Sequence, residues 1–236
     1  MLSFLPNASA KVVNFNTSSP VGFGIRGGIA QNQEQSFTPS PQTVKSSYTK
    51  FIGINPFFDF GNFILRADFD LHYHPLVVSS GTDPANAQSF NESSDAKTFN
   101  YGGSLLFIPF VSKSLRQRIY LGFGLGMAKL YDTNTRNYTN AAGQTTNTYT
   151  EKVSDTATYL DAIAGYEFFL VQNYSLGVET GYRSLQFASP AYSGNTTKNV
   201  RGTTVAGGNP VKTANGTDEV FTYSGLYFSL NFNLHF

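Results

Sequence analysis

The sequence predicts an all-β fold, an eight-stranded antiparallel up-and-down transmembrane β-barrel with long extracellular loops and short periplasmic turns. Three observations carry that expectation. First, residues 219–235 and the final Phe236 alternate strictly: Val220, Thr222, Ser224, Leu226, Phe228, Leu230, Phe232, Leu234 and Phe236 fall on one face, and Phe221, Tyr223, Gly225, Tyr227, Ser229, Asn231, Asn233 and His235 on the other. A period of two over that length is a strand able to cross a bilayer at a tilt, greasy outside and polar inside. Second, the chain has 22 Phe, 14 Tyr and 22 Gly, yet no stretch nears the roughly 18 consecutive apolar residues of a helical span. Third, seven more alternating segments are joined by links that are short and long by turns.

In chain order, 1–19 reads as a polar N-terminal periplasmic tail or signal remnant, with Ala8-Ser9-Ala10 resembling a cleavage site. Residues 20–236 read as one barrel domain. Strand one starts at Val21, with Phe23, Ile25 and Ile29 outward and Gly22, Gly24, Arg26 and Gly28 inward. Strand two covers about 48–60, and a tight turn at Gly61-Asn62 leads into strand three. There Phe63, Leu65, Ala67, Phe69, Leu71 and Tyr73 alternate with Ile64, Arg66, Asp68, Asp70, His72 and His74. No strand of a soluble sandwich needs such a contrast between its faces. Strands four to seven cover about 99–108, 118–130, 156–168 and 174–186. Links 61–62, 109–117 and 169–173 are short, whereas 33–47, 75–97, 132–155 and 188–218 are long. This places both termini in the periplasm. If the inward residues of strands five and six face one another, Arg118 meets Glu167, Gly124 meets Asp161, and a two-residue turn falls at Ala142-Gly143. The Thr-rich sequence between would then be a hairpin continuing both strands beyond the membrane.

Inward positions collect the cations Arg26, Arg66, Arg118 and Arg183 and the carboxylates Asp68, Asp70, Asp161, Glu167 and Glu179, with His72 and His74. On the outer face charge is nearly absent until Lys50 and Lys129, at the outer rim. A narrow barrel has room for little but side chains, so these groups read as an ion-pair network filling the lumen. A proton or ion path is the sharper alternative. His72 and His74 point the same way, but metal binding needs further ligands from neighbouring strands, and no metal or cofactor is expected. With no Cys, disulfide and thiolate chemistry are excluded, and a formal net charge of +1 gives no footprint for nucleic acid. No nucleophile elbow or phosphate-cradling loop appears, so the chain reads as non-enzymatic. On the outer face Pro56, Ala67 and Gly103 form a notch of small residues at one depth, which reads either as a local kink that lipid tolerates or as a candidate packing surface for a homo-oligomer.

The alternating spans and the terminal aromatic make the sequence similar to the small eight-stranded bacterial outer-membrane β-barrel superfamily that includes the OmpA transmembrane domain, OmpX and OmpW. The resemblance covers residues 20–236. It implies an outer-membrane location, lipids and lipopolysaccharide as surroundings, and recognition by the outer-membrane assembly machinery through Phe232, Leu234 and Phe236. The expected role is envelope-structural or surface-interacting, exercised through the loops. The alternative is transport, through a narrow pore or an OmpW-like conduit for ions or small hydrophobic molecules.

Overall fold

The structure is a computed structural model that describes residues 20–31, 35–36, 43–44, 48–74, 77–83, 87–112, 116–171, 173–212 and 216–236. The tail expected over 1–19 lies outside them, as does most of the first long link. Among the described residues eight strands close a ring: β1 (Val21–Gln31), β2 (Tyr48–Asp59), β3 (Phe63–Tyr73), β4 (Ser89–Val111), β5 (Gln117–Thr139), β6 (Thr145–Val171), β7 (Tyr174–Phe187) and β8 (Gly225–His235). Each pairs antiparallel with its neighbours in sequence, and β8 returns to β1 through Phe23–Leu234 and Ile29–Phe228. The ring satisfies backbone groups that lipid could not. Following partners from Val21 through Phe58, Leu65, Leu105, Phe123, Ala162 and Tyr182 to Leu226 returns to β1 level with Gln31, ten residues from the start. That stagger in an eight-stranded sheet corresponds to a strand tilt of about 40°.

Alternation decides which face is which. Phe123 and Leu230 remain 63% and 61% exposed, while Asp70 and Glu179, on the other face of the sheet, are fully buried. An apolar outside around a charged inside is unstable in water and stable in a bilayer. Aromatic side chains gather at both edges of the apolar band: Phe58, Phe60, Phe63, Phe107 and Phe110 near the short turns, Tyr48, Tyr73, Phe99 and Tyr131 towards the long links. Inside, large rings lie over glycines. A Cβ on Gly165 would stand 2.1 Å from the Tyr120 ring, and one on Gly181 would stand 2.6 Å from the Tyr227 hydroxyl.

The short turns and both chain ends of the ring gather at one end. At Gly61-Asn62 the Phe60 N–H donates to the Phe63 carbonyl (2.9 Å), and Gly61 has φ +84°, which closes the two-residue turn without strain. At the other end the strands run on past the apolar band. The β5–β6 register holds as expected, Arg118 facing Glu167 and Gly124 facing Asp161, and continues to Tyr138–Asn147. The tip differs from expectation. A one-residue shift at Tyr138/Thr139 makes the loop three residues long, Ala141 to Gly143, with Gly143 at φ +75°. A three-residue loop of this kind fits strand twist by putting its last residue in the left-handed region.

Two other expectations need correction. The second long link is largely strand, since β4 begins at Ser89 and its residues Ser89–Ser94 pair with Val77–Thr82. The closing strand is also interrupted. Phe221–Thr222 pair with Gln186–Phe187, but at Ser224 the hydroxyl receives the Leu185 N–H (2.9 Å) in place of a backbone carbonyl, and the regular ladder resumes at Gly225.

Candidate functional site

Alternation sends charged residues inward on β1, β3, β5, β6 and β7, and the tilt brings them to common depths. Glu179 on β7 is the centre of the cluster. Its carboxylate accepts from Arg26 Nη1 (3.1 Å), Arg66 Nη1 (2.6 Å) and the Tyr120 hydroxyl (3.2 Å), with the Tyr227 hydroxyl at 3.4 Å. Arg26 also grips Asp70 through two nitrogens (2.8 and 2.5 Å) and lies 3.2 Å from Asp68. Asp68 in turn meets Arg66 Nε (2.8 Å), Asn55 Nδ2 (2.8 Å) and the Ser104 hydroxyl. Towards the long links, Arg183 pairs bidentately with Asp161 (2.8 and 2.7 Å) and reaches His72 Nε2 (3.0 Å). Towards the short turns, Arg118 bridges Glu167 (2.5 Å) and Asp59. Eight of the ten predicted lumen residues, Arg26, Arg66, Asp68, Asp70, His72, Asp161, Glu179 and Arg183, therefore join one network with Tyr120 and Tyr227, and the other two, Arg118 and Glu167, form a second cluster with Asp59 nearer the short turns.

Among the described residues of these two clusters, four guanidiniums share six carboxylates, and each carboxylate has at least one guanidinium partner. Such pairing offsets the cost of burying charge, and it fixes one arrangement of strands more than it adds net stability. Two voids of about 20 Å³ flank the Glu179 cluster, one lined by Arg26, Thr98 and Asn100, the other by Asn55, Arg118 and Asn233. Each has room for about one water molecule. Among the described residues the Asn100 amide has no partner on either its oxygen or its nitrogen, which suits a water in the first void.

His74 Nδ1 shares a hydrogen bond with Thr49 Oγ1 (2.8 Å), and the His72 ring stacks on Phe51 at 4.8 Å. Among the described residues no group of three metal-ligating side chains assembles around them. Sequence reasoning missed a grouping near the short turns, where Ser175 Oγ lies 3.0 Å from His235 Nε2 and also meets Glu167. Glu167 approaches the same imidazole nitrogen as the serine (3.4 Å) instead of the opposite one, and Ser175 is fully buried. The arrangement therefore lacks the orienting carboxylate and the access of a nucleophilic triad.

Above the membrane the mouth is capped. Leu130 on β5, Val153 on β6 and Phe187 on β7 pack with Phe221, Tyr223, Tyr192 and Val211 in one buried cluster. The described residues 188–212 are tied down over it. Ala191–Tyr192 pair with Ser154–Val153, the Ser193 N–H donates to the Lys152 carbonyl (2.7 Å), and the Val200 N–H donates to Glu151 Oε2 (3.0 Å). Beneath it lies a second polar cluster. Arg136 clasps Glu92 (2.8 and 2.5 Å) and stacks 4.0 Å above the Phe90 ring, and the Tyr138 hydroxyl donates to Asp83 (2.6 Å). Asn134 Nδ2 lies 3.2 Å from Asp132 and 3.3 Å from Glu151. Burial pushes the Glu151 carboxyl up to about 7 and that of Asp132 up to about 6, against the hydrogen bonds each accepts.

On the lipid face Pro56, Ala67 and Gly103 sit on adjacent strands at one depth, with Gly103 paired directly to Ala67 and Phe23 to Pro56. Neither Asn55 nor Pro56 continues the β2–β3 ladder, as proline has no N–H to offer. Phe232 and Phe236 point outward, Leu234 is half-buried, and the Phe236 N–H donates to the Val21 carbonyl (2.9 Å).

No family model matches the sequence. No curated protein matches it either. Among solved structures the chain is similar to Neisserial surface protein A, at 14% identity over 91% of this chain and 97% of that one, with a TM-score of 0.45. It is also similar to Ail, the attachment invasion locus protein of Yersinia pestis (12%, 91% and 98%, TM-score 0.41). A third is the outer membrane protein OprG from Pseudomonas aeruginosa (11%, 92% and 97%, TM-score 0.45). These likenesses are likenesses of fold.

Proposed function

We propose that this chain is a non-enzymatic outer-membrane barrel whose membrane part is a sealed anchor, and whose work is done by the strand-built structure above it. In this reading the short turns and both termini face the periplasm, the long-link end faces outward, and the role is envelope-structural or surface-interacting. Lipids and lipopolysaccharide surround the outer face, and Phe232, Leu234 and Phe236 form the signal read by the assembly machinery during insertion. The notch of Pro56, Ala67 and Gly103 serves as a contact for a second copy, since small residues let barrels approach closely.

The observation that carries the reading is the double closure of the lumen, by the Glu179 network at mid-depth and by the aromatic cap at the mouth. A conduit for hydrophobic molecules would need an apolar bore, and this bore is lined by ion pairs. The absence of Cys makes the outward orientation directly testable. A single cysteine at Ala142, on the hairpin tip, should react with a membrane-impermeant maleimide in intact cells, whereas one at Asn62 should react only after the outer membrane is opened. The reverse pattern, or protection of both, would overturn the orientation.

A further inference from the structure

Where the apolar outer face of β2 to β5 gives out, it ends on lysine and tyrosine. Across the ladder Lys50 pairs with Tyr73, Tyr73 with Lys97 and Lys97 with Tyr131, while Lys129, one outward position below Tyr131, pairs with Phe99. All of them face outward and are at least partly exposed. The rings steady the amines: the Lys97 ammonium stands 6.0 Å from the centre of the Tyr73 ring, and that of Lys129 stands 5.1 Å from the centre of the Tyr131 ring. Cross-strand rows climb towards the long links from β1 to β8, as the return of Val21 to the level of Gln31 requires. With strands about 4.8 Å apart and tilted about 40°, the Cα atoms of Lys97 and Lys129 lie only about 6 and 4 Å above that of Lys50. Three ammonium groups therefore share one level at the edge of the apolar band.

The patch is one-sided. At the same height the outward positions on β6, β7 and β1 are Thr156, Thr158, Ser184, Gln186 and Gln31, all exposed and none charged. Lysines that merely float strand ends in the interface would be spread around the ring. On the outward face of β2 to β5 the one carboxylate among the described residues is Asp95, 3.3 Å from Lys97, and with side chains 56% and 45% exposed the pair neutralises little. Directly beneath the lysines the same strands present Phe69, Phe99, Tyr101 and Met127 to the outside. A soluble anion would use the charges alone. Charges set above an apolar surface fit an anionic group that carries hydrocarbon.

We infer that this patch is a binding site for a phosphorylated glycolipid of the outer leaflet, lipopolysaccharide, with phosphate groups at Lys50, Lys97 and Lys129 and acyl chains along the apolar surface of β3 to β5. Ammonium groups on flexible stems suit phosphates at the headgroup level, where each can adjust to its partner. The site rests on the reading of the chain as an outer-membrane barrel with its long links outward, and it replaces general lipid surroundings with one fixed contact.

The test is native mass spectrometry of the full chain, refolded in uncharged detergent with a chelator of divalent cations present and folding checked by heat-dependent gel mobility. The micelles are doped with bisphosphorylated lipid A or with the same lipid stripped of its phosphates. The bisphosphorylated lipid should stay with the barrel one to one, and the stripped lipid should not. A lysine at an anionic lipid surface is worth about fivefold in affinity, so Lys97→Gln combined with Lys129→Gln should weaken retention about thirtyfold. Lys198→Gln combined with Lys212→Gln, an equal loss of charge at exposed positions above the mouth, should leave retention within about twofold. Equal retention of the stripped lipid would overturn the site, as would equal losses in the two double variants or full retention in the first. Displacement by inorganic phosphate or a soluble sulfated polysaccharide, beyond that caused by sodium chloride of equal ionic strength, would assign the lysines to a soluble anion instead and overturn the lipid. The maleimide labels at Ala142 and Asn62 read the orientation separately, so outward labelling without lipid retention removes this site alone.

Discussion

Arg118 and Glu167 face each other across the β5–β6 ladder, Nε to Oε2 at 2.5 Å, with side chains 6% and 2% exposed. Their other partners make the two unequal. Arg118 is also the guanidinium partner of Asp59, whereas Glu167 also accepts from Ser175 and from Asn233 Nδ2 (2.8 Å). Arg118→Met therefore strands two buried carboxylates, and Glu167→Gln leaves Arg118 still paired with Asp59. Removing one partner of a buried pair costs about 3–5 kcal/mol, so Arg118→Met belongs at the upper end of that range and Glu167→Gln at the lower end. In the double variant only Asp59 remains uncompensated, and its total loss should fall short of the sum by about 2 kcal/mol. The chain has no Trp, so unfolding in urea is best followed by the heat-dependent gel mobility of the closed barrel. Additivity to within about 0.5 kcal/mol would refute the coupling, and a Glu167→Gln loss exceeding that of Arg118→Met would refute the assignment of Asp59.

Three further outcomes are expected. Deleting Phe236 should lower the yield of barrel in the outer membrane while refolded protein keeps its gel shift; full yield in cells would remove the residue from the insertion signal. The Glu151 carboxyl, raised from 4.5 to about 7, is protonated more readily with residues 188–212 docked than undocked, so docking gains up to roughly 3 kcal/mol below the ordinary value and loses it as pH climbs through 7. Hydrogen exchange at the Val200 amide, corrected for its intrinsic pH dependence, should accordingly be slower at pH 5 than at pH 8.5, and Glu151→Gln should flatten the difference; faster exchange at pH 5 would contradict the sign. Ala67→Trp should disperse an oligomer in mild detergent without lowering barrel stability, and a monomeric mass for the unsubstituted protein in native-membrane extracts would remove the notch as a contact.

Most of the barrel was legible because lipid imposes a binary rule on every second residue. Strand three announces itself by Leu65, Phe69 and Leu71 set against Arg66, Asp70 and His72. The same rule located the lumen groups and, through the pairing of inward residues, the Arg118–Glu167 contact. Above the membrane the rule lapses, since both faces of a strand meet polar surroundings. Ser89–Lys97 and Val77–Thr82 carry no greasy side to mark them and read as loop. The hairpin tip was displaced by a local shift that no periodicity reveals, and the ladder break at Ser224 depends on a hydroxyl replacing a backbone carbonyl. Arg136, Glu92 and Glu151 escaped notice because their meeting depends on pairings well above the apolar band. Asp59 and Tyr120 were hidden for another reason: they lie inward, but their value comes from partners on distant strands.

The central claim is that the lumen is closed twice, at the Glu179 network and at the cap. Single-channel recording across planar bilayers tests it most directly, using the purified, refolded, full-length protein at neutral pH in molar potassium chloride. The account predicts a baseline without discrete steps, and the same baseline when the cap alone is opened by replacing Phe187 and Tyr223 with serine, because the ion-pair network still blocks the bore. Steady ohmic steps from the unsubstituted protein, scaling with its insertion into the membrane, would contradict it.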